Sequence, residues 1–310
     1  MKLVAALILG LLPSVPLAAQ EPRTVITKWQ DGKQAAVTLT FDDSTENQFR
    51  IAVPLLNERG LHGTFFVITG EIEGSRYWPT LLGRKPPEVL RESATIPSTR
   101  ENVLERMTIL RYLAYVQNLE ILKDYDAQRA GRAYAQGNFE ELLPMIDAVY
   151  AKLRQSGESY ELLEHKPPAK YNRPPWSARQ GVSWEEFRRY AAQGHEFASH
   201  SVSHPYFSSI DEQHNAYEIE KSLQELREKL GPEHAFSLEC PHALHDERIG
   251  NYVASRVPWT RNCKTLAQFR ADDPYMDFIF NGEMRLPGSN HEYVNWQQFV
   301  YTRTPPETMN

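Results

Sequence analysis

Residues 35–49, AAVTLTFDDSTENQF, join an apolar and β-branched run to two adjacent carboxylates, Asp42 and Asp43. The run is typical of a buried strand. Crowding two carboxylates at the end of such a strand is unfavourable unless a cation, a proton or strong hydrogen-bond donors compensate them. Another part of the chain must therefore supply that compensation.

The sequence around these carboxylates predicts a strand, a helix and a second strand. QAAVTLTF is the first strand and HGTFFVITG is the second. Residues 44–60 between them predict a helix with Ser44 as its N-cap and Gly60 at its end. A strand that is apolar on both faces, joined through a helix to another such strand, indicates a βαβ unit in a parallel sheet.

The character of the chain changes twice after this unit. Residues 71–170 are helical in composition and periodicity, and we expect a helical insertion there. Alternating strands and helices return over 171–303, with HEFASH, HAFSLECPH and PWTRNC as strands. Together with residues 34–70, this pattern predicts an α/β sheet or barrel.

Two histidines, His200 and His204, stand four residues apart directly after the strand HEFASH. The carboxyl ends of parallel strands converge on one face of the sheet, which brings Asp43 to the same place. Two imidazoles and one carboxylate leave coordination positions open for water, as in catalytic metal sites. We expect this metal to be the compensation for the pair Asp42 and Asp43.

HEFASH superficially resembles the zincin motif HExxH. Three residues, rather than two, separate Glu196 from His200, and the segment is predicted to be a strand. The zincin motif places both histidines on one face of a helix, so we reject that alternative.

Charge and the N-terminus indicate the class of protein and its location. The formal charge of −6 and a sequence pI near 6.0 give no basic footprint for nucleic acid. MKLVAALILGLLPSVPLAAQ has the layout of a signal peptide over residues 1–19, with an apolar run too short to span a bilayer. We expect an exported protein, periplasmic or extracellular, without a membrane span in the mature chain.

Outside the cytoplasm, Cys240 and Cys263 could form a disulfide or stay free.

The motifs TFDD at 40–43 and HSVSH at 200–204 resemble the first two motifs of polysaccharide deacetylases, the NodB-homology group or carbohydrate esterase family 4. The flanking segments LLNERGLHGTFFV and VSWEEFRRYAAQGHEFASH are similar to that family as well. The resemblance implies a distorted (β/α) barrel that hydrolyses N- or O-acetyl groups on a polysaccharide or oligosaccharide. It also implies a divalent metal, usually Zn²⁺. The helical insertion is not part of the family's common core.

The resemblance implies a role for each motif residue. Asp43, His200 and His204 would bind the metal, and Asp42 would be the general base that takes a proton from water. The oxyanion would be stabilised by the metal and by a backbone N–H that follows a proline of the third motif. In SLECPHALHDE, residues 237–247, that donor is the N–H of His242.

The chain departs from the family pattern at two places. Glu239 stands where the family has an arginine that holds the base. The RPPW run at 173–176 either supplies that arginine from an unusual direction or is a proline-rich return from the insertion. The family's closing Leu-x-His strand, whose histidine is the general acid, is not found. His242, His245 and His291 are the candidates for the acid, and the first two lie closest to a motif loop.

Our hypothesis from the sequence is an exported, metal-dependent carbohydrate deacetylase. One alternative is a hydrolase of another amide or ester on the same site. The other is a carbohydrate-binding pseudoenzyme, which Glu239 and the missing closing histidine favour and the intact metal and base residues oppose.

Overall fold

The computed structural model describes residues 38–156 and 182–261, together with Gly32. All of these except Gly32 belong to one compact unit. The predicted signal peptide, the RPPW run at 173–176, Cys263 and His291 lie outside the described residues. Within the described ranges, no helix is both long enough and apolar enough to cross a bilayer.

The described strands form one parallel sheet in which each strand pairs with the strand before it in the chain. The strands are β1 (Thr40–Asp42), β2 (Thr64–Val67), β3 (Glu196–Ser199), β4 (Ser237–Glu239) and β5 (Trp259–Arg261). Sequential parallel order is the arrangement of a (β/α) barrel. Each of the three strands predicted after residue 171 is therefore confirmed.

The sheet is curled, as a side-chain contact between its two outer strands shows. In a flat sheet, β1 and β5 would lie about 19 Å apart, at about 4.8 Å for each strand step. Arg261 at the end of β5 nevertheless donates from Nη1 to Thr40 Oγ1 on β1, at 2.6 Å. Its guanidinium also lies over the ring of Phe66 on β2, 4.6 Å from the ring centre. The side chains at the carboxyl ends of the strands consequently point into a shared interior.

Helices connect and surround these strands. They are α1 (Val53–Glu58), α2 (Pro86–Ala94), α3 (Val103–Arg111), α4 (Ala127–Ala135), α5 (Phe139–Gln155), α6 (Trp184–Ala192), α7 (Glu212–Lys229) and α8 (Glu247–Ala254). Helix α6 begins at the predicted N-cap, where Ser183 and Glu186 form a capping box.

The apolar side chains form two separate cores. The first lies around the sheet and includes Phe65, Phe197 and Leu238. The second is built from residues between Leu81 and Leu153, on α2 to α5 and on the segments next to these helices. Residues 81–153, the helical segment, thus have their own core and lie between β2 and β3, where the periodicity predicts helices.

The first predicted helix differs from the expectation at its start. Ser44 has a left-handed φ of 53°, and its Oγ accepts a hydrogen bond from Ile68 N–H (3.0 Å) instead of capping a helix. A π-helical turn, Gln48–Ala52, precedes α1. Pro54 lacks an N–H and would crowd the carbonyl four residues earlier in a regular α-helix, so a wider turn before it is favourable.

Candidate active site

The site begins where β1 ends. Adjacent side chains of a strand point to opposite faces, so a regular strand would separate Asp42 from Asp43. Asp43 instead adopts a left-handed φ of 73°, which ends the strand and redirects its carboxylate. The turn is held by Gln48, whose amide donates to the carbonyl of Asp42, and by the Ser44 hydroxyl. Both neighbouring carboxylates are thereby presented at the same end of the sheet.

The two histidines come from the end of β3 and the turn after it. The N–H of His200 donates to the carbonyl of Val67 on β2 at 2.9 Å. Four residues later, His204 has a left-handed φ of 54°, and its N–H donates to the Oγ of Ser201 at 2.9 Å. The turn curls back so that the two rings meet, with their centres 4.5 Å apart.

Three potential ligand atoms converge at this place. His204 Nε2 lies 3.0 Å from His200 Nε2 and 3.0 Å from Asp43 Oδ1, and His200 Nε2 lies 3.5 Å from the same oxygen. His200 Nδ1 lies 3.1 Å from the carbonyl of Glu239. A carbonyl can only accept, so Nδ1 carries the proton and Nε2 presents its lone pair to the centre of the group.

The chemistry of this donor set fits a divalent metal. Two imidazole nitrogens and one carboxylate oxygen are the ligands of catalytic zinc sites, and the three atoms lie within 4.8 Å of one another. His200 is 3% exposed. Burial lowers the pKa of His204 to about 3, which leaves this imidazole neutral, as a ligand must be. Burial alone would raise the pKa of the Asp43 carboxyl, but its contacts with His200 and His204 hold it well below the usual range.

Asp42 has a different partner, the guanidinium of Arg261 on β5. The same Arg261 Nη2 also donates to the carboxylate of Glu239, whose side chain is 5% exposed. Asp42 is more open, with 39% of its side chain exposed. The expectation that a metal compensates both acidic residues is therefore wrong for Asp42, because a fixed cation from the last described strand already contacts it.

His242 lies next to the histidine pair. It has a left-handed φ of 59° after Pro241, its ring centre is 4.2 Å from that of His204, and it stacks on Tyr206 at 3.9 Å. Burial lowers the pKa of His242 to about 4. Among the candidates for a general acid, His242 thus has a ring that contacts a predicted metal ligand.

The family model of the polysaccharide deacetylases matches residues 30–96 and 147–257, more than half of the chain. The chain belongs to the polysaccharide deacetylase family. No curated protein matches it by sequence.

Among solved structures, the chain is similar to Streptococcus pyogenes deacetylase PplD in complex with acetate, with a TM-score of 0.34 and 13% identity. The alignment covers 70% of this chain and 51% of that one. This polysaccharide deacetylase family member therefore spans about half the length of the structure that it matches.

Sequence reasoning missed Arg261 in this deacetylase-family site. The family pattern directed attention to position 239, where Glu239 has the wrong charge, and to the RPPW run, which lies outside the described residues. The register pairs Glu239 with Arg261 on the neighbouring strand. The signal that could have revealed Arg261 was the segment PWTRNC. The sequence predicts a strand there, and the strand carries an arginine near its carboxyl end.

Cys240 is disulfide-bonded in the structure. The other cysteine of the sequence, Cys263, lies outside the described residues. Free thiols were the open alternative in the sequence analysis, and for Cys240 that alternative is wrong.

Proposed function

We propose that this member of the polysaccharide deacetylase family is a metal-dependent hydrolase that removes N- or O-acetyl groups from a carbohydrate. The observation that carries the proposal is the convergence of His200 Nε2, His204 Nε2 and Asp43 Oδ1 beside Asp42. The three atoms would hold the metal, with Zn²⁺ as the expected ion. A divalent metal there supplies Lewis-acid activation of water and of the acetyl carbonyl.

Asp42 is the proposed general base. A carboxylate that takes a proton from water must be ionised before the attack and must lie within hydrogen-bond reach of that water. Arg261 holds the carboxylate from one side, and the exposed part of the carboxylate gives water access to it. Because Arg261 occupies one carboxylate oxygen, Oδ1, the contact also restricts the direction in which the other oxygen can point.

His242 is the second proposed catalytic residue. Its backbone N–H would stabilise the oxyanion of the tetrahedral intermediate, as the family resemblance implies. The left-handed backbone of His242 supports a special role, because such a conformation is uncommon outside glycine and clusters at functional sites. Asp43, Ser201 and His204 in the two motifs share this feature, as do Ser44, Leu82 and Asn118 outside them.

Arg261 also weakens the case for a pseudoenzyme. Glu239 favoured that alternative because an arginine is needed to hold the base. The guanidinium of Arg261, on β5 next to the strand of Glu239, contacts Asp42. The glutamate at position 239 therefore does not leave Asp42 without a cation.

The proposed substrate is an acetylated polysaccharide or oligosaccharide outside the cytoplasm. Family membership supports the carbohydrate. The signal-peptide pattern over residues 1–19 supports the location, periplasmic or extracellular.

The test is acetate release from a panel of N- and O-acetylated glycans by zinc-loaded protein. Wild type should release acetate, whereas Asp42→Asn and His200→Ala should not release it above background within the same time. Glu58→Gln is the matched control, because Glu58 is an exposed carboxylate on α1, and it should behave as wild type.

A metal-loaded, folded wild type that releases no acetate from any glycan would contradict the proposal. Binding of the same glycans without turnover would then favour the carbohydrate-binding alternative. Release of another acyl group, but not acetate, would instead favour a hydrolase of a different amide or ester.

A further inference from the structure

The loop that carries His204 is anchored at the residue before it. The N–H of Ser203 donates to Glu218 Oε2 on α7 at 2.8 Å, and the Ser203 hydroxyl donates to Glu218 Oε1. Ser203 and Glu218 are both buried, with 5% and 3% of their surface exposed. A buried carboxylate needs a cation as well as hydrogen-bond donors.

Arg111, the last residue of α3, supplies a cation at this place. Its Nη2 donates to the Oγ of Ser203 at 3.1 Å and lies 3.5 Å from the carbonyl of the same residue. Burial raises the pKa of Glu218, and the positive charge of Arg111 opposes that rise. Arg111 therefore contacts the backbone and the side chain of the residue next to His204, and it stabilises the charge of the carboxylate that holds that residue.

The helical segment contacts the loop at three further points. The N–H of Asp211, at the end of the loop, donates to Thr108 Oγ1 on α3 at 2.7 Å. On α4, a Cβ added to Gly131 would lie 2.6 Å from Ser208 Oγ, so the helix and the loop approach closely enough that a larger residue would displace the Ser208 side chain. Tyr206 packs against the second core. The loop after β3 is thus held by the helical segment along most of its length.

The conformation of the loop makes such anchoring necessary. Ser201 and His204 both have left-handed φ values, 67° and 54°, although neither is glycine. Strained residues of this kind persist only where surrounding contacts determine the conformation. Without those contacts the turn could relax, and the imidazole of His204 would leave the other two ligand atoms.

We propose that Arg111 is a positioning residue for the metal ligand His204, acting through Ser203 and Glu218. This inference rests on the proposed metal site. Thr108, Arg111 and Gly131 all lie between residues 96 and 147, the stretch that the family model does not match. The helical segment thereby takes part in the metal site of this chain, although it contributes no ligand.

The decisive measurement is metal affinity, with Arg111→Met compared with wild type. Zn²⁺ dissociation constants are measured by competition with a chromophoric chelator, and Co²⁺ binding is followed by its visible absorption spectrum. Loss of a residue that orients a ligand typically weakens metal affinity 10–100-fold. We expect Arg111→Met to bind Zn²⁺ about tenfold more weakly and to give a Co²⁺ spectrum of altered intensity. Arg111→Lys should be intermediate, because lysine retains the charge but not the planar fork.

Arg106→Met is the matched control. Arg106 is also a buried arginine on α3, but it donates to Ser98 Oγ at 2.9 Å and to the carbonyl of Ser93, within the helical segment. Its replacement should lower the stability of the protein and leave the Zn²⁺ affinity of the folded protein unchanged. An equal loss of affinity in both variants would mean that general loosening is the cause, and it would overturn the proposal.

The double variant Arg111→Met/Glu218→Gln separates positioning from charge compensation and also covers the case in which Arg111→Met does not fold. It removes the cation and the buried anion together, so it should be more stable than Arg111→Met. We expect its Zn²⁺ affinity to stay about tenfold below that of wild type. Wild-type affinity in the double variant would overturn the positioning role.

The outcomes distinguish this inference from the proposed function. A folded wild type that binds neither Zn²⁺ nor Co²⁺ would overturn the proposed metal site and the inference with it. A wild type that binds metal, with Arg111→Met binding equally tightly, would overturn the inference alone.

Discussion

Asp42 and Asp43 are neighbours in sequence, yet the structure compensates them in different ways. Asp43 faces two imidazoles, His200 and His204, that together with it can hold a metal. Asp42 faces the fixed guanidinium of Arg261 and keeps 39% of its side chain exposed. One carboxylate therefore belongs to a candidate ligand set, and the other is an accessible carboxylate held by an arginine.

The difference arises from the strand ends that surround each carboxylate. The left-handed φ of Asp43 ends β1 and redirects its carboxylate to the histidines that follow β3, whereas Asp42 remains on β1, where Arg261 of β5 reaches it. The metal side is built from the ends of β1 and β3, and the base side from β1, β4 and β5. If this division is correct, substitutions on the base side should leave metal binding intact. Substitutions on the metal side should leave the contact between Asp42 and Arg261 intact.

The largest effect should follow from removing a ligand on the metal side. We expect His200→Ala and Asp43→Asn to abolish both metal binding and acetate release, because three protein ligands become two. Metal content after purification and dialysis, measured by elemental mass spectrometry, checks the first loss. The control is His234→Ala, which removes another buried histidine, one whose Nδ1 accepts a hydrogen bond from Phe197 N–H. Full metal occupancy in His200→Ala would contradict the assigned ligand set.

Substitution of the base should separate activity from metal binding. Asp42→Asn retains the shape of the side chain but cannot accept the proton, so we expect turnover to fall about 10²–10⁴-fold. Metal occupancy should remain that of wild type, because Asp42 is not a ligand in this division. Loss of metal in Asp42→Asn would show that the two sides are not independent.

Arg261→Met tests the cation on the base side. Removing one member of a buried ion pair typically costs about 3–5 kcal/mol, and because Asp42 is partly exposed we expect a loss of about 3 kcal/mol. Turnover should also fall, because Asp42 loses the contact that orients it. Urea denaturation and acetate release measure the two effects.

The variant Arg261→Met/Glu239→Gln distinguishes orientation from stability. It removes the buried negative charge together with the cation, so most of the lost stability should return. Turnover should stay low, because Asp42 still lacks its partner. Recovery of both properties would mean that Arg261 acts only on stability.

The smallest effect should come from the turn that separates the two sides. Ser44→Ala removes the acceptor of the N–H of Ile68, a residue that is fully buried, and we expect a loss of about 1–2 kcal/mol. Metal affinity should weaken slightly while Asp42 and Arg261 keep their contact. Thermal unfolding with and without chelator measures the change. Unchanged stability in Ser44→Ala would contradict the role of the Ser44 hydroxyl as the acceptor for Ile68 N–H.

Much of the fold follows from local pattern. The strand–helix alternation predicts the parallel sheet, and Ser183 caps its helix as expected. The predicted start of the first helix was wrong, because Ser44 is a favourable cap residue by type but its Oγ accepts a hydrogen bond from a distant amide, Ile68 N–H. A local propensity cannot reveal a tertiary hydrogen bond that competes with it.

The candidate site divides in the same way. The motifs predict Asp43, His200 and His204 as a group, because strand ends and a four-residue spacing are local features, and the structure brings their ligand atoms together. The prediction that a metal compensates Asp42 was wrong. Arg261 lies 219 residues away in sequence, and only the curl of the sheet brings β5 to β1.

The sequence by itself determined the strands, the helical segment and the residues able to bind a metal, because these depend on periodicity, capping and residue type. Only the tertiary structure decided which charges meet. It places Arg261 against Asp42 and Arg111 against Ser203, two contacts made by long side chains across strands or between the two cores. Such contacts leave no periodic trace, since they depend on how packed elements approach one another in space.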